Sequence, residues 1–74
     1  MYYKIQFFPY EEFAINYLGY SKEKGFYYTG ERSAIHFSEY SISDNKVQDF
    51  LKDKTYKLIE ETNPARLYLR IYRG

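Results

Sequence analysis

Two stretches of the chain, YYKIQFF at 2–8 and RLYLRIY at 66–72, alternate with a period of two. That is the repeat of a β-strand with one buried face, because successive side chains point to opposite sides. In the first stretch Tyr3, Ile5 and Phe7 share a side, and Tyr2, Lys4 and Gln6 share the other, before Pro9 stops the strand. In the second, Leu67, Leu69 and Ile71 oppose Arg66, Tyr68, Arg70 and Tyr72. A chain with such strands must build a sheet, and something must cover its apolar face.

The intervening residues supply that cover. Tyr10, Phe13, Ala14, Tyr17 and Leu18 have the i, i+3, i+4, i+7, i+8 spacing of an amphipathic helix, with Pro9 to open it and Gly19 to close it. The competing reading is a strand, since Phe13, Ile15 and Tyr17 also alternate and SKEKG at 21–25 suits a hairpin loop. Phe26 to Thr29 and Ala34 to Tyr40 read as strands, the latter with Ile35 and Phe37 inward and a half-exposed His36. Ser43 is placed to cap a helix over 44–54, whose apolar face is Val47, Phe50 and Leu51. Tyr56 to Glu60 is a strand, and TNPA at 62–65 is turn chemistry. The order predicts an α+β fold. It is a small, mostly antiparallel sheet of four to five strands with one or two helices packed on one face, over residues 1–74 as a single compact domain.

With 74 residues the chain can bury only a small core, and without cysteine it has no disulfide to help. Six Ile, five Leu and one Val are few, whereas tyrosine and phenylalanine number 11 and 6. The core is therefore expected to be built largely from rings, with some rings left exposed. The lack of cysteine fits a cytoplasmic setting. MYYKIQFF lacks the pattern of a signal peptide, and no apolar run reaches the ~20 residues that span a bilayer.

Catalysis finds little support. His36 is the single histidine, and without cysteine no zinc site of the usual kind can form. Glu60 and Glu61 are neighbours on a strand and so point to opposite faces. No phosphate loop or dinucleotide fingerprint is present. The expectation is a non-catalytic protein with no cofactor and no metal.

Binding is the remaining style of function. Net charge is +1 overall, but residues 66–74 carry three of the four arginines. If the first and last strands lie close together, Arg66, Tyr68, Arg70, Tyr72, Tyr2 and Lys4 form one outward face. Tyrosine and arginine are enriched in binding hot spots. The leading reading is a small module that binds a larger protein by occlusion or docking, with Tyr68 and Tyr72 as anchors. A second reading is single-stranded nucleic acid, with rings stacking on bases. A third is a structural homodimer, and none of the three involves a membrane.

KGFYYTGE at 24–31 partly resembles the first ribonucleoprotein motif of the RNA-recognition-motif family. That resemblance implies base stacking by Phe26 and Tyr28. Tyr27 stands where that family has a small residue, Glu31 replaces its final aromatic, and the stretch falls on the second strand, not the third. In size and composition the chain also resembles the small inhibitors encoded by phages and mobile elements of low-GC bacteria, including anti-CRISPR and other anti-defence proteins. That resemblance implies inhibition of a bacterial defence protein and transfers no functional residue.

Overall fold

A computed structural model describes residues 1–68. They form strands β1 (Tyr2–Phe7), β2 (Tyr17–Ser21), β3 (Gly25–Thr29) and β4 (His36–Ser38), helix α1 (Asn45–Leu51) and strand β5 (Tyr56–Glu61), with 3-10 turns at Glu31–Ser33 and Ser41–Ser43. This is a small α+β fold whose five-stranded sheet is mostly antiparallel.

β1 is the centre of the sheet. β5 pairs antiparallel along its whole length, from Tyr2↔Glu61 to Phe7↔Tyr56. The other edge of β1 is shared: β4 pairs with Tyr2, Tyr3 and Lys4, and β2 meets it at Gln6. β3 extends the sheet beyond β2 as a hairpin. Its turn is closed by the Lys24 N–H, which donates to Ser21 Oγ at 3.1 Å, and by Gly25 at φ 72°. That backbone angle lies in the left-handed region, where glycine carries no steric cost.

The alternation of β1 works as its sequence requires. Ile5 and Phe7 are buried in the core, joined by Leu18, Ile35 and Phe37. Helix α1 covers this face with Val47 and Leu51, and Phe50 packs beside them. The helix is shorter than 44–54, and its cap is Asp44, not Ser43: the Asp44 carboxylate accepts from the Lys46 N–H at 2.9 Å. Ser43 instead ends the preceding 3-10 turn, and its hydroxyl donates to the Tyr40 carbonyl at 2.9 Å. At the far end Lys54 Nζ donates to the Phe50 carbonyl at 2.7 Å, satisfying a carbonyl of the last turn.

Rings fill the remaining core. Tyr68 meets Phe37 at 5.2 Å, Tyr20 at 5.1 Å and Phe26 at 5.6 Å between centroids, and Phe26 reaches Phe50 at 5.4 Å. These distances lie in the range where aromatic pairs attract beyond their buried area.

Two further sequence expectations are corrected. Residues 10–18 are not helical: residues 10–16 form a loop, Phe13 has φ 60°, and β2 starts at Tyr17. The helical spacing arose from joining loop residues to the first residues of a strand. The face assigned to the second alternating stretch is also reversed where it is described. The Tyr68 side chain is 2% exposed, deep among the core rings, while Leu67 is half-buried. This segment does not lie beside β1, because β5 already fills that edge. It pairs in parallel with β4 instead: the His36 N–H donates to the Arg66 carbonyl at 2.9 Å, and the Tyr68 N–H to the His36 carbonyl at 2.8 Å. Among the described residues no helix is long and apolar enough to cross a membrane.

Candidate functional site

Directly paired residues share a face of the sheet. The pairing therefore builds rows across the face opposite α1. One row runs Lys57, Gln6, Tyr17, Thr29 across β5, β1, β2 and β3. The next runs Ile59, Lys4, His36 across β5, β1 and β4. This face is polar but mostly not exposed, since Lys4, Gln6, Tyr17 and His36 are all buried.

Each buried polar group has a physical setting. Lys4 Nζ lies 2.8 Å from Glu31 Oε2 and 3.9 Å from Glu61 Oε2. His36 is its cross-strand neighbour, and neither ring nitrogen has a hydrogen-bond partner among the described residues. Burial, reinforced by the Lys4 ammonium, holds His36 below its ordinary pKa of 6.5, which keeps the ring neutral. Burial and the Glu31 carboxylate push the Tyr17 phenol above 10, with Lys4 opposing.

What covers part of this face is the loop between β1 and β2. Its ends are pinned by Asn16, whose side-chain nitrogen donates to the Pro9 carbonyl at 2.6 Å and the Phe7 carbonyl at 3.3 Å. The Phe7 N–H donates to the Asn16 carbonyl at 2.7 Å, and the Phe8 N–H to the Thr55 carbonyl at 2.9 Å. Held so, the loop turns its apolar side chains outward: Phe8 is 65% exposed, Phe13 101% and Ile15 73%. Tyr10 packs edge-on to Phe8 at 5.8 Å and lies under the Lys57 ammonium at 4.6 Å.

Two hollows flank this lip, and Ile15 lines both. The smaller, about 460 Å³, lies between Phe8 and Tyr28 with Lys54 at its side. The larger, about 750 Å³, has Gln6 and Tyr17 among its lining and is flanked by the loop and by residues 30–33. The loop thus combines a pinned backbone, exposed apolar tips and a concavity on either side. Among the described residues no group of three or more metal-ligating side chains gathers.

The structure scatters the residues marked from sequence. Tyr2 is half-buried on the polar face, and Lys4 is buried and ion-paired, so neither extends an exposed patch. Arg66 is exposed beside β4, and Tyr68 belongs to the core. Arg70 and Tyr72 lie outside the described residues. Of the pair marked for base stacking, Phe26 packs against Tyr20, Phe50 and Tyr68, while Tyr28 is 48% exposed. Sequence reasoning gave Phe8 and Ile15 no binding role, using Ile15 only in the competing strand reading, and placed Phe13 on the apolar face of a helix. The signal available was that 8–15 holds four large apolar residues, Phe8, Tyr10, Phe13 and Ile15, that neither a helical nor a strand period accommodates completely. Comparison of the chain with protein-family models, curated protein sequences and solved structures finds no match.

Proposed function

We propose that this chain is a non-catalytic protein-binding module that docks onto a larger protein through the loop at 8–15. The observation that carries this reading is Phe13. Its ring is wholly in solvent, and its backbone holds a left-handed φ of 60°. An aromatic residue in that region costs about 1–2 kcal/mol. An exposed ring gives nothing back to the fold for that cost, which suits a ring held out for a partner. Asn16 and Thr55 fix the loop ends in advance, so less freedom is lost on binding than with a loose loop. Occlusion of a bacterial defence protein is the finer form of this reading, and rests on the resemblance in size and composition.

The test is capture from a bacterial lysate, with and without nuclease, comparing the parent with Phe13→Gly. Glycine accepts the left-handed angle, so the variant is expected to fold at least as well as the parent. One stoichiometric protein, unaffected by nuclease and lost in the variant, is the expected result. Equal capture by both would show that the loop is not the binding surface, and material lost with nuclease would point to nucleic acid.

A further inference from the structure

The outer edge of β5 is complementary to itself. We propose that two copies of this chain join there, β5 against β5 in antiparallel, about a two-fold axis through Ile59.

The hydrogen-bond phase of β1 and β5 fixes what that edge offers. Opposed residues of an antiparallel pair alternate between bonding each other and pointing their backbone groups away. Phe8 follows in register opposite Thr55 and donates to its carbonyl, so Gln6↔Lys57, Lys4↔Ile59 and Tyr2↔Glu61 are bonded pairs as well. The Phe7 N–H turns the other way, to the Asn16 carbonyl. Tyr56, Leu58 and Glu60 therefore turn their N–H and C=O groups to the outer edge of β5, which pairs only with β1 among the described residues. Leu58 marks this edge as uncovered. Its direct neighbour Ile5 is wholly buried, whereas Leu58, on the same side of the sheet, is 43% exposed. The helix reaches over the other end of the sheet, where Phe50 meets Phe26 and Tyr28 of β3.

Charge selects a second copy as the occupant. Lys57, Ile59 and Glu61 share the face of β5 opposite α1. There Lys4 is one cation for two carboxylates, 2.8 Å from Glu31 and 3.9 Å from Glu61. Lys57 lies over the Tyr10 ring and has no carboxylate partner among the described residues. A two-fold axis perpendicular to the sheet keeps each face on its own side, so it must pass through a residue. With Ile59 at the centre, Lys57 of each copy stands opposite Glu61 of the other. These are non-hydrogen-bonded positions, where opposed side chains are closest. The second cation reaches each carboxylate pair, the two Ile59 side chains meet between them, and Leu58 exchanges backbone bonds with Glu60 of the second copy. Centred on Leu58, Lys57 would face Ile59 and Glu61 would face Thr55, with no charge matched. The outer edge of β3, GFYYT, carries no charge to set a register. Read antiparallel, the complement of Lys-x-Ile-x-Glu is itself Lys-x-apolar-x-Glu, which this strand supplies.

The test is sedimentation equilibrium of the parent, Lys57→Glu, Glu61→Lys and the doubly reversed variant, from about 10 µM to about 1 mM, since so short an edge makes a weak dimer. The parent's mass is expected to rise from one chain toward two. Each single reversal sets like charges against each other twice and is expected to weaken association about tenfold, and the double reversal to restore it to within about threefold. Dispersed amide spectra at the lowest concentration check that the variants are folded. Hydrogen exchange of the parent gives a readout that needs no variant. The Leu58 and Glu60 amides are expected to gain protection with concentration, while those of Lys57 and Ile59, already bonded to β1, are not. A mass of one chain up to about 1 mM, single reversals that associate as well as the parent, a double reversal no better than either single, or unchanged Leu58 and Glu60 exchange would overturn the proposal.

Discussion

Tyr68 sits where the rings of Tyr20, Phe26 and Phe37 converge. Its removal opens a hole among large, rigid neighbours that cannot collapse onto it. Tyr68→Ala is therefore expected to cost about 3–5 kcal/mol, measured by urea unfolding. For a chain of this size that is a large part of roughly 4–11 kcal/mol of total stability. A loss below about 1 kcal/mol would mean the side chain does not fill the core. His36 carries a second prediction. Its folded pKa is depressed, so the unfolded chain takes up the proton more readily than the fold does. The stability this contributes is complete above pH 6.5 and is lost as pH falls through the lower folded value. Lys4 ensures that protonation places two cations side by side, with Glu61 as a partial counterweight. Unfolding midpoints followed from pH 7.5 to 5 should fall, and fall less in His36→Leu. Parallel curves for the two proteins would exclude His36 as the cause.

Among the elements, the β2–β3 hairpin depends on one missing side chain. A Cβ on Gly19 would come within 2.9 Å of the Tyr27 ring and 3.0 Å of Thr29 Cγ2. Gly19 and Tyr27 are paired, so the ring lies across the glycine backbone. Gly19→Ala is expected to destabilise by about 1 kcal/mol. The cost should shrink in the Gly19→Ala, Tyr27→Ala pair relative to Tyr27→Ala alone, a coupling that a double-mutant cycle reads. Additive losses would place the strain elsewhere. The elements also show what the sequence could reveal. β1 and α1 were legible because one period dominates each: Ile5 and Phe7 alternate with polar residues, and Val47 and Leu51 are four apart. Residues 10–18 were not, because exposed apolar residues of a loop mimic a buried stripe, and no residue type states its own exposure. The 66–72 stretch alternates leucine with tyrosine, and both have apolar bodies. Its period gives two faces without saying which is wet, and the ring-lined hole around Phe37 decided for Tyr68. Of the candidate site, Gln6 was placed on its correct face, while the loop that gives that face a hollow was read as its opposite.

Across the whole molecule, stability depends on β1 being paired along both edges. β5 covers every residue from Tyr2 to Phe7, and the opposite edge is divided between β4 and β2. A chain ending at Thr55 would keep α1 and the β2–β3 hairpin but leave one entire edge of β1 open. It is expected to give a collapsed amide NMR spectrum without the dispersion of a folded sheet. A dispersed spectrum would show that β5 is dispensable. The loop at 8–15 inherits the same dependence, since the Phe8 N–H donates to the Thr55 carbonyl just before β5 begins.

The Tyr2↔Glu61 pairing also has a consequence during synthesis. The ribosome delivers β1 first and its longest partner many residues later. Until residues 56–61 emerge, Ile5 and Phe7 travel on a strand with an open edge, a template on which other nascent chains can add. A cell making this protein quickly would meet that hazard in proportion to how densely ribosomes load the message. Slower translation would suppress it without any change to the folded state.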